Sequence, residues 1–388
     1  MLETRYNICM TDYAQEALAK HKELRGKIEL KLKDTLDNKE KLSTYYTPGV
    51  AAVSSYLAEH PEETRNYTWT NNVVAVVSDG SAVLGLGNIG PEGALPVMEG
   101  KAMLFKHFAG IDAVPIVLNV HTADEIVATV KALAPSFGGI NLEDIAAPIC
   151  FEVEDRLKKE LSIPVMHDDQ HGTAVVTLAG LINATKVTGR KLNNTRVVLV
   201  GAGAAGIAIA KLLVKYAPGI NIIAVDSKGI ISSARDDLNE SKQALLKVSN
   251  PGNISGSLDD ALSNADIFIG VSKPNLLTET MVKTMAKEPI IFAMANPKPE
   301  IMPDVAQKAG AAVVATGRSD FPNQVNNALA FPGIFRGALD NRVKTITDDH
   351  KIKAAEAIAA LVTNPTTENI IPPVGDKRLV SAISSVIV

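Results

Sequence analysis

A glycine-rich segment that joins an apolar strand to a helical pattern constrains this chain more than any other feature. Gly201, Gly203 and Gly206 form the pattern Gly-x-Gly-x-x-Gly directly after the apolar residues 197–200. In this pattern the first glycine permits a tight turn, the second lets the backbone approach a pyrophosphate, and the third lets the next helix pack closely on its strand. The segment therefore predicts a doubly wound α/β domain that binds a dinucleotide at a helix N-terminus.

An acid at the end of the next strand indicates which dinucleotide is bound. Asp226 ends the apolar run 220–225 and lies twenty residues after the last glycine. A carboxylate at this place accepts hydrogen bonds from a ribose diol and repels a 2′-phosphate, so Asp226 favours NAD over NADP. Because Lys228 lies two residues later, binding of NADP stays an open alternative. We predict a cofactor site made of the three glycines, of Ala204 and Ala205 between them, and of Asp226.

A second copy of the glycine pattern, at Gly85, Gly87 and Gly90, serves as an internal comparison. Pro91 and Pro96 follow it, and for this reason we expect no helix to begin at the third glycine. No acid ends a later strand at the required distance. The sequence therefore predicts that this copy is a glycine-rich turn that shapes another pocket.

Length and composition limit the class of protein. A chain of 388 residues is long enough for two domains, and we predict a first α/β domain at residues 1–165 and the dinucleotide domain at 166–388. A net charge of −4 gives no electrostatic attraction to nucleic acid or to an anionic membrane, and 4% aromatic residues argue against a base-stacking surface. We therefore expect no nucleic-acid partner.

Cysteine content and hydropathy indicate the compartment. The two cysteines, Cys9 and Cys150, are too few for a disulfide framework, and residues 1–10 carry no apolar signal segment. No apolar run approaches the roughly 20 residues that a membrane span needs. The sequence predicts a cytoplasmic enzyme with no membrane partner.

The pattern along the chain predicts a parallel sheet in the first domain as well. Apolar strands alternate with helical segments over residues 73–166, as in sheets that are covered on both faces. Residues 11–33 have an amphipathic helical pattern, and residues 173–187 are predicted to form a long helix that leads into the dinucleotide domain. We expect three C-terminal helical segments to pack back on the first domain: 326–339, 351–362 and 378–388.

Two pairs of acids follow predicted strands of the first domain. Glu143 and Asp144 come directly after the strand 139–142, and Asp168 and Asp169 follow the strand 164–166. Carboxylates from two strand ends make a hard oxygen site that suits Mg²⁺ or Mn²⁺. The alternative is helix capping or simple solvation of these acids, which the residues themselves leave open.

Two further residues have both an ordinary and a chemical interpretation. Lys101 lies in an apolar helical pattern, where a lysine usually extends its ammonium to solvent. Tyr46 lies in a turn before Pro48 and Gly49, where an aromatic ring often anchors a loop. Neither residue identifies a reaction by itself.

Taken together, these segments resemble the malic enzymes, and the chain is similar to their short bacterial form over nearly its whole length. The resemblance is carried by seven motifs in order: Tyr45-Tyr46-Thr47-Pro48-Gly49-Val50, Gly85-Leu86-Gly87-Asn88, Glu99-Gly100-Lys101, Leu142-Glu143-Asp144, His167-Asp168-Asp169-Gln170-His171-Gly172-Thr173-Ala174, Ala295-Asn296-Pro297, and Asn326-Asn327 through Phe331-Pro332-Gly333. It implies oxidative decarboxylation of L-malate to pyruvate and CO₂ with NAD(P)⁺ and a divalent metal.

The resemblance also implies roles for individual residues. It implies metal ligands at Glu143, Asp144 and Asp169, a catalytic lysine at Lys101, a catalytic tyrosine at Tyr46, an acid that interacts with the lysine at Asp168, amides that contact the substrate at Asn296 and Asn327, and the ribose-binding acid at Asp226.

In this scheme a neutral Lys101 takes the hydroxyl proton as hydride leaves C2 of malate. Its pKa must then fall from about 10.4, for which we expect a nearby dication to be the cause. Tyr46 protonates the enol of pyruvate at C3 as a general acid.

One position departs from the family pattern. Large animal malic enzymes have an arginine two residues before the Gly-Leu-Gly turn, where it meets a malate carboxylate, and this chain has Val83. Either another cation replaces it, for example from a second subunit, or the preferred 2-hydroxy diacid differs.

Two other functions stay open at this point. One is a malolactic conversion of malate to lactate with retained NADH, and the other is a non-catalytic regulator that binds NAD. We also expect a homodimer or larger homo-oligomer, with the N-terminal helix as a candidate contact.

Overall fold

The computed structural model describes the backbone of residues 2–388 and the side chains of residues 13–388. It contains ten strands: β1 (Val73–Ser78), β2 (Asp112–Val117), β3 (Gly139–Leu142), β4 (Val165–His167), β5 (Arg196–Val200), β6 (Asn221–Asp226), β7 (Gly229–Ile230), β8 (Ile267–Gly270), β9 (Ile290–Ala293) and β10 (Val313–Thr316). Most strands are buried along their whole length, since they are continuous runs of β-branched and other apolar residues.

These strands form two sheets. The first has the order β2-β1-β3-β4 and is parallel throughout. The second has the order β10-β9-β8-β5-β6-β7, in which only the two-residue β7 is antiparallel to its neighbour. The order reverses at β5, which is the arrangement of a doubly wound sheet. The predicted fold class, an N-terminal α/β domain with a parallel sheet followed by a Rossmann-type domain, is confirmed.

Helices cover both sheets. They are α1 (Leu2–Leu24), α2 (Lys39–Tyr45), α3 (Gly49–Glu59), α4 (Thr64–Tyr67), α5 (Gly90–Ala109), α6 (Ala123–Leu133), α7 (Ile149–Glu160), α8 (Asp168–Val187), α9 (Ala204–Tyr216), α10 (Glu240–Leu246), α11 (Leu258–Leu262), α12 (Glu279–Thr284), α13 (Pro303–Lys308), α14 (Phe331–Asp340), α15 (Asp348–Ala360) and α16 (Leu379–Ser384). Helix α8 leads from the first sheet into the second and packs between α9 and α15.

Two helix predictions are wrong. The helix expected over residues 11–33 ends at Leu24, because Arg25 and Gly26 adopt positive φ angles of 56° and 119°. A helix does begin at the third glycine of the second pattern, since α5 starts at Gly90. Pro91 occupies its first turn, where the missing N–H would have no helical partner anyway.

Of the C-terminal helices, α14 packs against α5, which covers the first sheet, while α15 packs on α8 and α16 packs on α14. Phe105 of α5 meets Phe331 and Phe335 of α14 edge to face, with ring centroids 4.7 and 5.4 Å apart. The region is part of one apolar core that spans both sheets. Among the described residues no helix has the length and apolar character to cross a membrane. Cys150 is a buried free thiol, and the side chain of Cys9 lies outside the described residues.

Candidate active site

A cavity of about 1000 Å³ opens where the carboxyl ends of the strands of both sheets meet. It is lined by residues that follow seven different strands, β1, β3, β4, β5, β8, β9 and β10, and these include most of the predicted site. The predicted residues on its wall are Lys101, Glu143, Asp144, Asp169, Gly203, Ala204, Ala205, Asn296 and Asn327. Open α/β sheets bind their ligands at this edge. The chain therefore places candidate metal ligands, a lysine and the dinucleotide turn around one space.

Lys101 lies at the centre of the charged part of this cavity. Its side chain is 6% exposed, and its Nζ lies 2.7 Å from Asp168 Oδ2 and 2.8 Å from Glu143 Oε1. The ammonium also stands 4.3 Å from the centre of the Phe331 ring. Burial alone would lower the pKa of Lys101, but Asp168 and Glu143 outweigh it and raise that pKa. Lys101 is thus held as an ammonium in this arrangement, and the neutral lysine expected beside a dication stays a prediction.

The three predicted metal ligands form a group of carboxylates in which Glu143 and Asp144 are buried and Asp169 is half-buried. Burial, together with Asp169 and Glu143, raises the pKa of Asp144 to about 8. Burial likewise raises the pKa of Glu143 and of Asp169. Asp144 Oδ2 is buried without a hydrogen-bond partner. Mutual repulsion and an orphaned oxygen fit a site that gains from a hard divalent cation.

The same carboxylates are nevertheless engaged with protein groups. Glu143 holds Lys101 with one oxygen and accepts from Asn141 Nδ2 at 2.8 Å with the other. Asp169 Oδ2 accepts from the Asp144 backbone N–H at 2.7 Å. Within the described part of the chain no group of three or more histidine, cysteine or acidic side chains is arranged to hold a metal. The donor chemistry fits Mg²⁺ or Mn²⁺, but Glu143 would have to leave Lys101 to become a ligand.

A buried glutamate that the sequence analysis missed supports Asp168 and Asp169 from behind. Glu154 of α7 is 3% exposed and accepts from the His167 backbone N–H at 3.0 Å and from His171 Nε2 at 2.8 Å. These contacts bracket the first turn of α8, which carries both aspartates. Burial would raise the pKa of Glu154, but His171 and Lys158 hold it well below its ordinary value. The carboxylate is therefore charged.

The glycine turn at the start of α9 has the geometry of a pyrophosphate site. Gly201 has a φ of 118°, and a Cβ on Gly206 would collide with the carbonyl oxygen of Gly201. A Cβ on Gly203 would meet nothing within 4 Å, so the space above this residue is open. Helix α9 begins at Ala204 with its first N–H groups directed at that space.

Asp226 lies at the end of β6, away from the cavity wall, and its carboxylate is surrounded by donors. Arg235 binds both oxygens, at 2.8 and 3.0 Å, and Lys242 Nζ lies 2.7 Å from Oδ2. The Lys228 backbone N–H donates to Oδ1 at 2.9 Å. Burial opposes ionisation, but these groups lower the pKa of Asp226 to about 2. The two cations weaken the repulsion of a 2′-phosphate on which the NAD preference was based.

Glu300 fixes the loop that presents Asn296. It is fully buried and accepts from the backbone N–H groups of Ser272 and Ala295, both at 3.0 Å. These residues follow β8 and β9, so one carboxylate ties two loops of the cavity together. A Cβ on Gly270 would collide with the Glu300 carboxyl group, which explains a glycine at the end of β8.

Tyr46 is not among the residues that line this cavity, within the part of the chain whose side chains are described. It follows α2, and 67% of its surface is exposed. Several apolar side chains before it are exposed as well: Leu30, Leu32, Leu36 and Tyr45. The fold of one chain therefore brings Lys101 to the acids and leaves Tyr46 outside.

Some residues that shape the site had no usable signal in the sequence. Glu154 lies in a helix with other charged residues, where an acid is usually solvated. Lys27 lines the cavity, but it lies within the charged segment 11–33 that the sequence predicts to be one helix. Gly26, a typical helix-ending residue, was the signal that could have separated Lys27 from that helix.

Comparison with protein families identifies both halves of the chain. Residues 25–125 and 121–158 match the family model "malic enzyme, N-terminal domain". Residues 170–388 match the family model "malic enzyme, NAD binding domain".

Individual proteins give the same result. The bifunctional malic/malolactic enzyme of Bacillus subtilis is 56% identical over 96% of this chain and 92% of its own length. The NAD-dependent malic enzyme of Geobacillus stearothermophilus is 54% identical over 94% of this chain and 76% of its own length. Among solved structures, the NAD-dependent malic enzyme of Thermotoga maritima superposes with a TM-score of 0.92 at 52% identity, covering 96% of this chain and 98% of that one.

Proposed function

Because this chain belongs to the malic enzyme family, we propose that it oxidises L-malate and releases CO₂, forming pyruvate and reducing NAD, with the help of a divalent metal ion. The observation that carries the proposal is the position of Lys101. A buried lysine bonded to Asp168 and Glu143 lies on the same cavity as the open turn at Gly203. That arrangement joins a proton-transfer group to a dinucleotide site.

The acids of the site have two roles, metal binding and proton transfer. Glu143, Asp144 and Asp169 would hold the metal ion, which supplies Lewis acidity to the substrate oxygens. Lys101 is held by two carboxylates, Glu143 and Asp168. Burial raises the pKa of Asp168 to about 7. Asp168 can then accept a proton from Lys101 across their 2.7 Å hydrogen bond, which frees Lys101 to act as a base.

The remaining steps use Lys101, Asn296 and Asn327 on the cavity wall and Tyr46, which one chain leaves outside it. Lys101 takes the hydroxyl proton of malate while hydride leaves C2 for the nicotinamide. Loss of CO₂ then leaves the enolate of pyruvate, and the hydroxyl of Tyr46 supplies the proton to C3 that completes pyruvate. Asn296 and Asn327 hold substrate oxygens without adding charge.

A variant of the lysine tests this assignment. Lys101→Met keeps the length of the side chain and removes the amine, so it should lower malate oxidation by a factor of about 10² or more, as expected for loss of a positioned acid–base group. Binding of NADH, followed by its fluorescence, should stay within twofold of the wild-type value. Equal loss of NADH binding and oxidation would contradict a role in proton transfer.

We propose that NAD is the preferred cofactor and that NADP is also accepted. Asp226 supports the preference for NAD, while Arg235 and Lys242, bonded to the same carboxylate, supply charge that a 2′-phosphate can use. Comparing kcat/KM for the two cofactors tests this, and a ratio above about 10³ in either direction would contradict it.

The malolactic reaction is the second candidate, favoured by the 56% identity to a relative that carries both activities in its name. It uses the same cavity and differs only in whether NADH is retained to reduce pyruvate. Release of lactate in place of pyruvate would identify it.

We also propose that the protein is a homodimer in which Tyr46 of the partner subunit completes the site. The exposure of Tyr46 and of Leu30, Leu32 and Leu36 supports a contact that covers this segment. Mixing inactive Lys101→Met and Tyr46→Phe proteins under exchange conditions tests it, because mixed dimers would contain one intact site. A mixture without recovered activity, despite proven exchange, would contradict the shared site.

A further inference from the structure

The turn after the first helix places a lysine on the wall of the cavity. Helix α1 ends at Leu24, and the chain then docks on α5 through Glu99. The Lys27 backbone N–H donates to Glu99 Oε2 at 3.2 Å, and a Cβ on Gly26 would stand 3.3 Å from Glu99 Oε1. The position of Lys27 is therefore fixed by a side chain two residues before Lys101 and by a glycine that leaves room for it.

The ammonium of Lys27 lies beside the backbone of α5. Its Nζ donates to the carbonyl oxygen of Pro96 at 2.6 Å, and a Cβ on Gly100 would stand 3.5 Å from it. Because this hydrogen bond goes to a neutral carbonyl, two of the three N–H groups of the ammonium are left for a ligand. Lys27 is half-buried, so a carboxylate that reaches it interacts more strongly than at an open surface.

Few other cations line the same cavity. Within residues 13–388 the basic side chains on its wall are His21, Lys27 and Lys101. Lys101 is held between Asp168 and Glu143, and His21 Nδ1 is hydrogen-bonded to the backbone carbonyl of Ala17 at 2.7 Å. Lys27 is thus the cation of this wall whose charge is best placed to meet a ligand.

The proposed substrate needs such a charge. L-Malate carries two carboxylates, and the cavity wall contains three acids and three neutral amides. Val83, beside the turn at Gly85, is apolar and fully buried, so this part of the chain adds no charge to the cavity. A divalent ion and Lys101 would together balance the three acids, so the two carboxylates of the substrate still need a further cation.

We propose that Lys27 is a specificity-determining residue that binds one carboxylate of the substrate and so selects a 2-hydroxy dicarboxylate. This inference rests on the proposed function, because it assumes that malate occupies the cavity.

Three variants test the proposal in the full-length protein. Lys27→Met removes the charge and keeps the length, Lys27→Arg keeps the charge, and Lys31→Met removes an exposed charge four residues away. For each, kcat and KM are measured with L-malate, and the inhibition constant of tartronate, a dicarboxylate that is not turned over, is measured beside them. NADH binding by fluorescence serves as the structural control.

A charge-assisted hydrogen bond of this kind corresponds to roughly 10- to 100-fold in affinity. Lys27→Met should raise the KM of malate and the inhibition constant of tartronate by that factor, with kcat within about threefold and NADH binding unchanged. Lys27→Arg should recover most of the loss, and Lys31→Met should resemble the wild type.

Equal KM values in Lys27→Met and Lys31→Met would overturn the role of Lys27, and so would a Lys27→Met protein that loses NADH and malate affinity together. A wild type that does not oxidise L-malate contradicts the proposed function itself. The two failures are distinguishable, because the second is decided on the wild type alone.

Discussion

Replacing Glu154 should destabilise the first sheet and its catalytic turn together. Its carboxylate receives three donors: the His167 backbone N–H at 3.0 Å, His171 Nε2 at 2.8 Å and Lys158 Nζ at 2.5 Å. Glu154→Ala removes all three acceptor contacts and leaves the His167 N–H buried without a partner. Breaking one side of a buried charged network costs about 3–5 kcal/mol.

Glu154→Gln removes the charge of the side chain and keeps its size, so it measures the contribution of the charge alone. The amide keeps one acceptor oxygen, and Lys158, whose side chain is 17% exposed, can turn to solvent. The lost charge-assisted contacts correspond to roughly 1.5–3 kcal/mol. The matched control is Glu152→Ala on the same helix, whose side chain is 59% exposed and which pairs with Arg156 at 3.0 Å. An exposed pair contributes less than about 1 kcal/mol.

Urea unfolding followed by fluorescence of Trp69 measures these differences, because Trp69 is the single tryptophan and lies just before β1. We expect the wild type and Glu152→Ala to have similar free energies of unfolding. The free energy of unfolding should be lower in Glu154→Gln and lowest in Glu154→Ala. Mn²⁺ affinity should also fall roughly 10-fold in Glu154→Gln, since Asp169 lies in the turn that Glu154 holds. A Glu154→Ala protein within about 1 kcal/mol of the wild type would refute this reasoning.

Three further outcomes are expected. Gly206→Ala should weaken NADH binding at least 10-fold in a fluorescence titration, because its Cβ would collide with the Gly201 carbonyl; wild-type affinity would contradict this. Phe331→Leu should lower malate turnover several-fold with little change in NADH binding, since it removes the ring beside the Lys101 ammonium; unchanged turnover would count against that contact. The pKa of Asp226 is lowered to about 2, so its ion pairs stabilise the fold above the unfolded pKa near 4 and are lost as pH falls through 2. The KM of NAD should therefore not change between pH 5 and 9 through protonation of Asp226. A pH dependence of this KM that is present in the wild type and absent from Asp226→Asn would contradict the lowered pKa.

Strands β5 and β6 of the second sheet could be predicted because each is a short apolar run between turn residues. The run before Gly201 and the acid at Asp226 fell where the structure has β5 and the end of β6. The start of α5 could not be predicted from the sequence, because a proline in the first turn of a helix looks the same in sequence as a proline that prevents a helix. The domain boundary at residue 165 stays a prediction, although α8 begins three residues later.

The candidate site was predictable in its residues and less so in its chemistry. Lys101 and the acids were identified through resemblance, and the fold brings them together. Their ionisation depends on contacts between distant segments, such as the one between Lys101 and Asp168, which no local pattern reports. Lys27 and Glu154 were missed for the same reason, because a lysine after a charged helix and an acid within one are usually solvated.

The ratio of products to reduced cofactor tests the central claim most directly. L-Malate, Mn²⁺ and NAD⁺ are incubated with the enzyme while absorbance at 340 nm follows NADH, and pyruvate and lactate are quantified at the end. We predict one pyruvate for each NADH and no lactate. Lactate without net NADH, or no reaction with L-malate, would contradict oxidative decarboxylation as the function of this chain.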